Sequence, residues 1–198
     1  MAKNYVAHAR EFDNVVPTEP IFFMKHENCL LLDNKPFHYP DFSQNVHHEI
    51  EVVLKIGKTG KHIEPELASS YFDEIGLGID FTARDLQTAA KEKGHPWEIS
   101  KAFDDSAPLS DFLLLSAFTD INKLRFHLDV NGVTVQEGNT ESMIFPPAVQ
   151  ISYTSRFLTL EPGDLLFTGT PEGVGPVRAG DRLEAYLEEK KMLDFVVK

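Results

Sequence analysis

Two glutamates spaced two residues apart, an aspartate at the end of another apolar run, and a Gly/Thr/Pro loop are the parts of this chain most able to do chemistry. They lie in His47-His48-Glu49-Ile50-Glu51, in Gly78-Ile79-Asp80-Phe81-Thr82-Ala83-Arg84-Asp85-Leu86-Gln87, and in Thr168-Gly169-Thr170-Pro171-Glu172-Gly173-Val174-Gly175. In a strand, side chains at i and i+2 share a face, so Glu49 and Glu51 point the same way. Taken alone, that pair reads equally well as the exposed face of a half-solvated strand. Asp80 changes the balance. It follows Ile75-Gly76-Leu77-Gly78-Ile79, which reads as buried, and a buried unpaired carboxylate is costly. Three convergent carboxylates with room for water suit Mg²⁺ or Mn²⁺. No trio of histidines and no Cys/His spacing points to zinc. His48 faces the other side of the strand and is not expected to be a ligand.

His8 and Glu11 form a second constellation. If their segment is helical, residues at i and i+3 lie together, and a carboxylate can orient an imidazole as a general base. A polar surface helix is the simpler reading of the spacing by itself. Lys101, within Gly94-His95-Pro96-Trp97-Glu98-Ile99-Ser100-Lys101, would ordinarily be a solvated lysine. Near a metal it could bind a substrate carboxylate or stabilise developing negative charge. The loop at Thr168-Gly169-Thr170-Pro171 lacks the Gly-Lys-Ser/Thr ending of a Walker motif. A backbone cradle for a carboxylate remains open to it.

The elements that must position these groups are legible in outline. Ile50 to Ile56 is apolar on both faces after Glu51 and predicts a central strand. Ile75 to Phe81 predicts a second. Thr82 is placed as N-cap of a helix running to Glu92 or Lys93 and stopped by Gly94, with Arg84 and Gln87 sharing a face. Glu64 to Asp73 is expected as a short helix with Pro65 in its first turn. The stretch from Val15 to Ser43 is irregular, with Ile21-Phe22-Phe23-Met24 as a candidate short strand. His127 to Val130 and Val133 to Gln136 flank Asn131-Gly132, a hairpin with a type I′ turn. Pro147 to Arg156 predicts a helix. Leu165 to Thr168 predicts a strand, and Arg182 to Leu187 with Leu193 to Val197 a closing antiparallel pair. The class is mixed and mainly β, with few and short helices.

A chain of 198 residues predicts one domain, here 1–198, with a core that needs no disulfide. The net charge of −12 argues against general nucleic-acid binding, which needs a positive footprint. It also means that an anionic substrate needs a bound cation or local Lys/Arg, which draws attention to Arg84 and Lys101. No run approaches the ~20 apolar residues of a membrane span. Met1-Ala2-Lys3 leads directly into charged sequence, so no signal peptide is expected. The lone Cys29 excludes an internal disulfide and a cysteine-cluster metal site. A reducing, cytoplasmic setting follows as the expectation.

Read together, these segments resemble the fumarylacetoacetate hydrolase family. Asn4-Tyr5 with His8 and Glu11, Glu49 with Glu51, Asp80 followed by Thr82-Ala83-Arg84-Asp85 and Gln87, Lys101 with Phe103-Asp104, and Thr168-Gly169-Thr170-Pro171 with Gly173-Val174-Gly175 occur in the family's order. The branch they most resemble is the small, single-domain acylpyruvase and oxaloacetate-processing one. The resemblance implies a β-roll and a homodimer. It implies Glu49, Glu51 and Asp80 as Mg²⁺ or Mn²⁺ ligands, His8 and Glu11 as a catalytic dyad on a lid within residues 1–45, and substrate contacts from Arg84, Gln87, Lys101 and Thr170. Two departures stand out. The family's strand before Asn-Tyr, ending in glycine, has no counterpart here, which predicts a shorter sheet edge. Lys25-His26 stands where relatives often carry Lys-Pro, which alters a loop near the mouth of the site.

The expected reaction is hydrolysis of a 2,4-dioxo acid to pyruvate and a carboxylic acid. The same site admits oxaloacetate decarboxylation, keto–enol tautomerisation or isomerisation of a 2-hydroxy-dienoate. A catalytically silent protein that binds metal and oxo acids is the alternative from another class.

Overall fold

The computed structural model describes residues 1–11 and 15–198. The N-terminal part carries α1 (Val6–Glu11) and β1 (Leu30–Leu31). The middle of the chain forms β2 (Val46–His48), β3 (Ile50–Ile56), β4 (Phe72–Ile79) and β5 (Thr82–Ala83), followed by α2 (Arg84–Lys93) and α3 (Glu98–Lys101). Next come β6 (Ala107–Pro108), β7 (Leu113–Leu114), the hairpin of β8 (Arg125–Val130) and β9 (Val133–Asn139), and α4 (Pro147–Ser155). The chain closes with β10 (Leu165–Phe167), β11 (Gly175–Pro176), β12 (Arg182–Leu187) and β13 (Lys190–Val196). The result is mainly β with a few short helices, as the patterning predicts.

Among the described residues the strands form small sheets ordered β10-β3-β4-β7, β13-β12-β8-β9 and β11-β2-β5, with a parallel β1-β6 pair. β3 and β4 are buried along most of their length; Ile50, Val52, Leu54 and Ile56 give β3 one wholly apolar face, while Glu51 sits buried on the other. Phe126, Leu128 and Leu183 of the outer sheet join Val52, Leu54, Leu77 and Ile79 in one core. The asparagine-glycine turn between β8 and β9 takes φ of 54° and 76°, the two positive values a type I′ hairpin requires.

Several expectations shift. Ile21 to Met24 is no strand: only Ile21 makes a β-bridge, to Ala2, and Phe22 and Phe23 instead pack on Phe157 and Trp97. The short helix expected over Glu64 to Asp73 forms, as a 3₁₀ helix opened by Pro65. Pro65–Tyr71 winds as 3₁₀ turns with only Ala68 buried, and Phe72 is drawn into β4 opposite Ile56. Thr82 does not cap a helix, because it pairs with His47 across β5 and β2. Helix α2 starts at Arg84 without a side-chain cap, and Gly94 ends it in the left-handed conformation as expected. The hairpin and the closing pair are longer than predicted, and β4 begins earlier. Of the N-terminal lid expected within residues 1–45, residues 12–14 lie outside the described residues.

Gly78 makes one close approach possible. It sits opposite Glu51, and a Cβ there would stand 2.4 Å from Cε1 of Phe167. The backbone of β4 must therefore stay bare for the Phe167 ring to lie over it. Gly78→Ala is expected to destabilise the fold by about 1–3 kcal/mol through overpacking, read as a lower urea midpoint at unchanged m-value.

Candidate active site

Strand register delivers the carboxylates. β3 and β4 run antiparallel with Ile50 opposite Ile79 and Glu51 opposite Gly78. One rung further, the Asp80 N–H donates to the Glu49 carbonyl at 2.8 Å. Glu49 occupies the single-residue break between β2 and β3, Glu51 lies within β3, and Asp80 follows the end of β4. Carboxylate oxygens of all three lie within 4.8 Å of one another, and all three side chains are buried. The sequence expectation of convergence therefore holds, although Glu49 sits at a strand break and not inside a strand.

Cations offset this buried charge. Lys101 Nζ donates to Glu49 Oε2 at 2.8 Å, to Asp80 Oδ2 at 2.6 Å and to Thr82 Oγ1 at 2.6 Å. Arg84 Nη2 donates to the other Glu49 oxygen at 2.5 Å, and its Nη1 to Gln87 Oε1 at 2.8 Å. Burial would raise the Glu49 pKa, but Lys101 and Arg84 outweigh it and hold the carboxyl well below its ordinary range. Burial likewise opposes the Lys101 ammonium, and Asp80 and Glu49 more than compensate, so its pKa is raised. Glu51 differs. Burial, with Asp80 and Glu49 adding to it, pushes its carboxyl up to about 8 against the pull of the N-terminal ammonium and the Gly169 N–H. That N–H donates to Glu51 Oε2 at 2.5 Å. Gly169 has φ of +102°, and a Cβ there would stand 2.6 Å from Asn4 Cβ. The loop's glycine thus lets backbone reach the Glu51 carboxylate.

The N-terminal motif divides into an anchor and a working end. Asn4 Nδ2 donates to the Thr168 carbonyl at 2.7 Å and to the Phe145 carbonyl at 3.0 Å, and its Oδ1 accepts from the Phe145 N–H at 2.8 Å. Tyr5 is buried against Phe126. These contacts pin the start of α1, whose helical spacing sets His8 Nδ1 3.3 Å from Glu11 Oε2. Glu11 also accepts from the Gly173 N–H at 3.2 Å, tying α1 to the Thr168–Gly175 loop. His8 is 9 % exposed, and burial lowers its pKa despite Glu49 and Glu11. His8, Glu49, Arg84, Gln87, Lys101 and Thr170 line one cleft, walled on one side by Phe23 and Trp97. Every residue singled out from the sequence therefore borders this cleft or, like Glu51 and Glu11, touches a residue or loop that does.

Sequence reasoning placed Lys25 only in a loop near the mouth of the site and missed its contact with Asp80. Its Nζ lies 3.0 Å from Asp80 Oδ1, donates to Ser106 Oγ at 2.8 Å, and donates to the Lys101 carbonyl. The available signal was a charged residue closing the apolar run Ile21-Phe22-Phe23-Met24. It also missed Gln136, a buried amide in β9 that bonds to Thr170, for which no local pattern gave notice. His48 hydrogen-bonds with Gln136 and stands outside the acidic cluster, as expected. The donor set fits a hard divalent cation: three buried carboxylates with no sulfur and no imidazole among them.

The fumarylacetoacetate hydrolase C-terminal family profile matches residues 1–197. The mitochondrial oxaloacetate tautomerase of Mus musculus is 40% identical over 198 residues, which is 100% of this chain and 90% of that protein. The structure of fumarylpyruvate hydrolase from Pseudomonas aeruginosa, in complex with Mn²⁺ and pyruvate, superposes with a TM-score of 0.94 at 39% identity, covering 99% of this chain and 86% of that one. That of 5-carboxymethyl-2-hydroxymuconate delta-isomerase from Mycobacterium smegmatis gives 0.86 at 32% identity, covering 99% and 76%.

Removing Lys101 leaves two buried carboxylates without their shared ammonium. Lys101→Met is expected to cost about 3–5 kcal/mol of stability at neutral pH without added metal. The sign of the pH effect follows from Glu49. Its folded pKa lies below the unfolded value of about 4.3, so its contribution is present above that pH and is lost as pH falls. Without Lys101 the folded pKa rises and this contribution is missing already at neutral pH, so the stability deficit of Lys101→Met is expected to be largest near neutral pH and to shrink as pH falls below about 4, read as urea midpoints at each pH.

Proposed function

We propose that this chain, which belongs to the fumarylacetoacetate hydrolase family, is a divalent-metal-dependent enzyme that hydrolyses 2,4-dioxo acids to pyruvate and a carboxylic acid. The observation that carries this reading is the buried Glu49–Glu51–Asp80 cluster sharing a cleft with His8. Mg²⁺ or Mn²⁺ suits these all-oxygen donors, and a relative of known structure holds Mn²⁺ together with pyruvate. When bound, such a cation supplies Lewis-acid polarisation of the oxo-acid oxygens.

The chain's own residues do the rest. Arg84, Gln87 and Thr170 hold the substrate carboxylate and orient it. His8, neutral because burial lowers its pKa and oriented by Glu11, takes a proton from water. The hydroxide adds to the carbonyl distal to the pyruvoyl end. The carbon–carbon bond then breaks, its electron pair leaves as the enolate of pyruvate, and a proton returns to that carbon. Lys101, whose ammonium is secured by Asp80 and Glu49, stabilises the developing negative charge. A lid within residues 1–45, in a single domain spanning 1–198, closes over the substrate and excludes bulk water. A homodimer in a reducing cytoplasm completes the reading. Family resemblance supports the dimer, and the lone Cys29 supports the compartment.

A second reaction is favoured by a specific observation: a relative 40% identical over the whole chain is an oxaloacetate tautomerase. Held in the same way, oxaloacetate needs only proton transfer by His8, or loss of CO₂, to pass through the same kind of enolate. The isomerase neighbour supports dienoate chemistry of the same type. The silent binding protein has less support, since the relatives above are named as enzymes.

Turnover of acetylpyruvate and oxaloacetate, side by side with Mg²⁺ and then with chelator, tests the assignment. Chelator-sensitive cleavage of acetylpyruvate is expected, and activity on oxaloacetate alone would move the function to tautomerisation or decarboxylation. His8→Ala is expected to lower kcat by about 10²–10⁴-fold with Mn²⁺ binding retained, and Asp80→Ala to lose Mn²⁺ affinity in a calorimetric titration. The general base works unprotonated and its pKa is lowered. The acid limb of kcat/KM is therefore expected below pH ~6.5, the ordinary histidine value, and a limb above it would remove His8 from that role.

A further inference from the structure

Gln136 is a buried amide to which the proposed reaction assigns no role. It stands on β9, outside the sheet that carries the carboxylates, and is 1 % exposed. All four of its hydrogen-bonding positions are engaged. Oε1 accepts from the Ile50 N–H at 3.0 Å and lies 2.9 Å from His48 Nδ1. Nε2 donates to Thr170 Oγ1 at 2.9 Å and to the Pro171 carbonyl at 3.1 Å. The amide cannot be turned over. The Pro171 carbonyl only accepts and the Ile50 N–H only donates, so each end faces the group it must face. His48 in turn must present its Nδ1 proton to Gln136.

This orientation has a consequence for Thr170. A hydroxyl that accepts from an amide N–H cannot return its own proton to that nitrogen. The Thr170 proton is thereby directed away from Gln136, and among the described residues no other hydrogen bond of Thr170 Oγ1 forms. Thr170 is itself 2 % exposed and lines the cleft with Arg84, Lys101 and Glu49. We infer that Gln136 is a positioning residue that holds the Thr170 hydroxyl as a donor aimed at a carboxylate oxygen of the bound oxo acid. The inference rests on the reading of the cleft as an oxo-acid site. A hydroxyl held as a donor selects for an acceptor oxygen, and its hydrogen bond is strengthened when that oxygen belongs to a charged carboxylate. The same amide joins the Thr170-Pro171 loop to Ile50, between the two glutamates, so that substrate donor and carboxylate cluster share one rigid support.

The test is a double-mutant cycle on the metal-loaded enzyme, read as KM for acetylpyruvate or oxaloacetate, whichever is turned over, and as the inhibition constant of pyruvate. Gln136→Met is expected to raise both about tenfold or more, the scale of a lost hydrogen bond to a charged group, with kcat within about threefold of wild type. Thr170→Val is expected to raise them equally, and the combined variant no further than Thr170→Val alone. Gln136→Met also strips the acceptor from Ile50 and His48. Gln136→Glu is therefore run beside it, since it keeps an oxygen for those two donors and loses the paired N–H donors. If the Gln136 and Thr170 losses multiply in the double variant, Gln136 acts independently of Thr170, and the inference is overturned while the cleft reading stands. If Thr170→Val leaves KM and the pyruvate constant at wild-type values, Thr170 gives no hydrogen bond to the substrate and the inference is overturned while the cleft reading stands; the cleft reading itself fails if the wild-type enzyme neither turns over an oxo acid nor is inhibited by pyruvate.

Discussion

Burying three carboxylates side by side is the constraint on which the rest of this structure depends. Each loses its hydration, and each repels the others at short range. Among the described residues the cluster survives because Lys101 bridges Glu49 and Asp80, Arg84 takes the remaining Glu49 oxygen, Lys25 approaches Asp80, and the Gly169 N–H caps Glu51. None of these partners is adjacent in sequence to the acid it serves. The fold is thus arranged so that distant segments bring positive charge or backbone dipoles to one point.

The glycines and the register serve that same point. Gly78 opposite Glu51 lets Phe167 cross the β-strand, and β10 then leads directly into Thr168 and Gly169. Asn4 ties the N-terminal segment to the Thr168 carbonyl, so α1 reaches the cleft already anchored. Loop, helix and strands therefore depend on one another. Altering any one moves a group that balances charge or faces the cleft. Charge balance explains the unequal acids as well. Glu49 is held ionised by its cations, whereas Glu51, with a backbone donor close by, is driven upward by burial.

Local elements were legible where physics is local. The asparagine-glycine turn needs two positive φ values, and only such residues supply them cheaply, so that hairpin could be read directly. The apolar run Ile50 to Ile56 became a central strand for the same reason. Thr82 misled because its capping propensity lost to pairing with His47, a contact set by sheet topology. Ile21 to Met24 misled because its aromatics found side-chain partners on distant elements and no neighbouring strand took its backbone.

By itself the sequence determined the class of fold, the two central strands, which acids converge, and the helical pairing of His8 with Glu11. Those follow from period-two alternation, i to i+3 proximity and turn chemistry, each contained within a few residues. Tertiary structure alone decided that Glu49 and Asp80 meet across one rung, that Lys101 and Lys25 turn inward and do not solvate, and that Gln136 grips the Thr170 loop. The chain separations involved, 52 residues between Lys101 and Glu49 and 76 between Lys25 and Lys101, leave no local signature. Only the packing of whole sheets selects which distant charge arrives to neutralise a buried one.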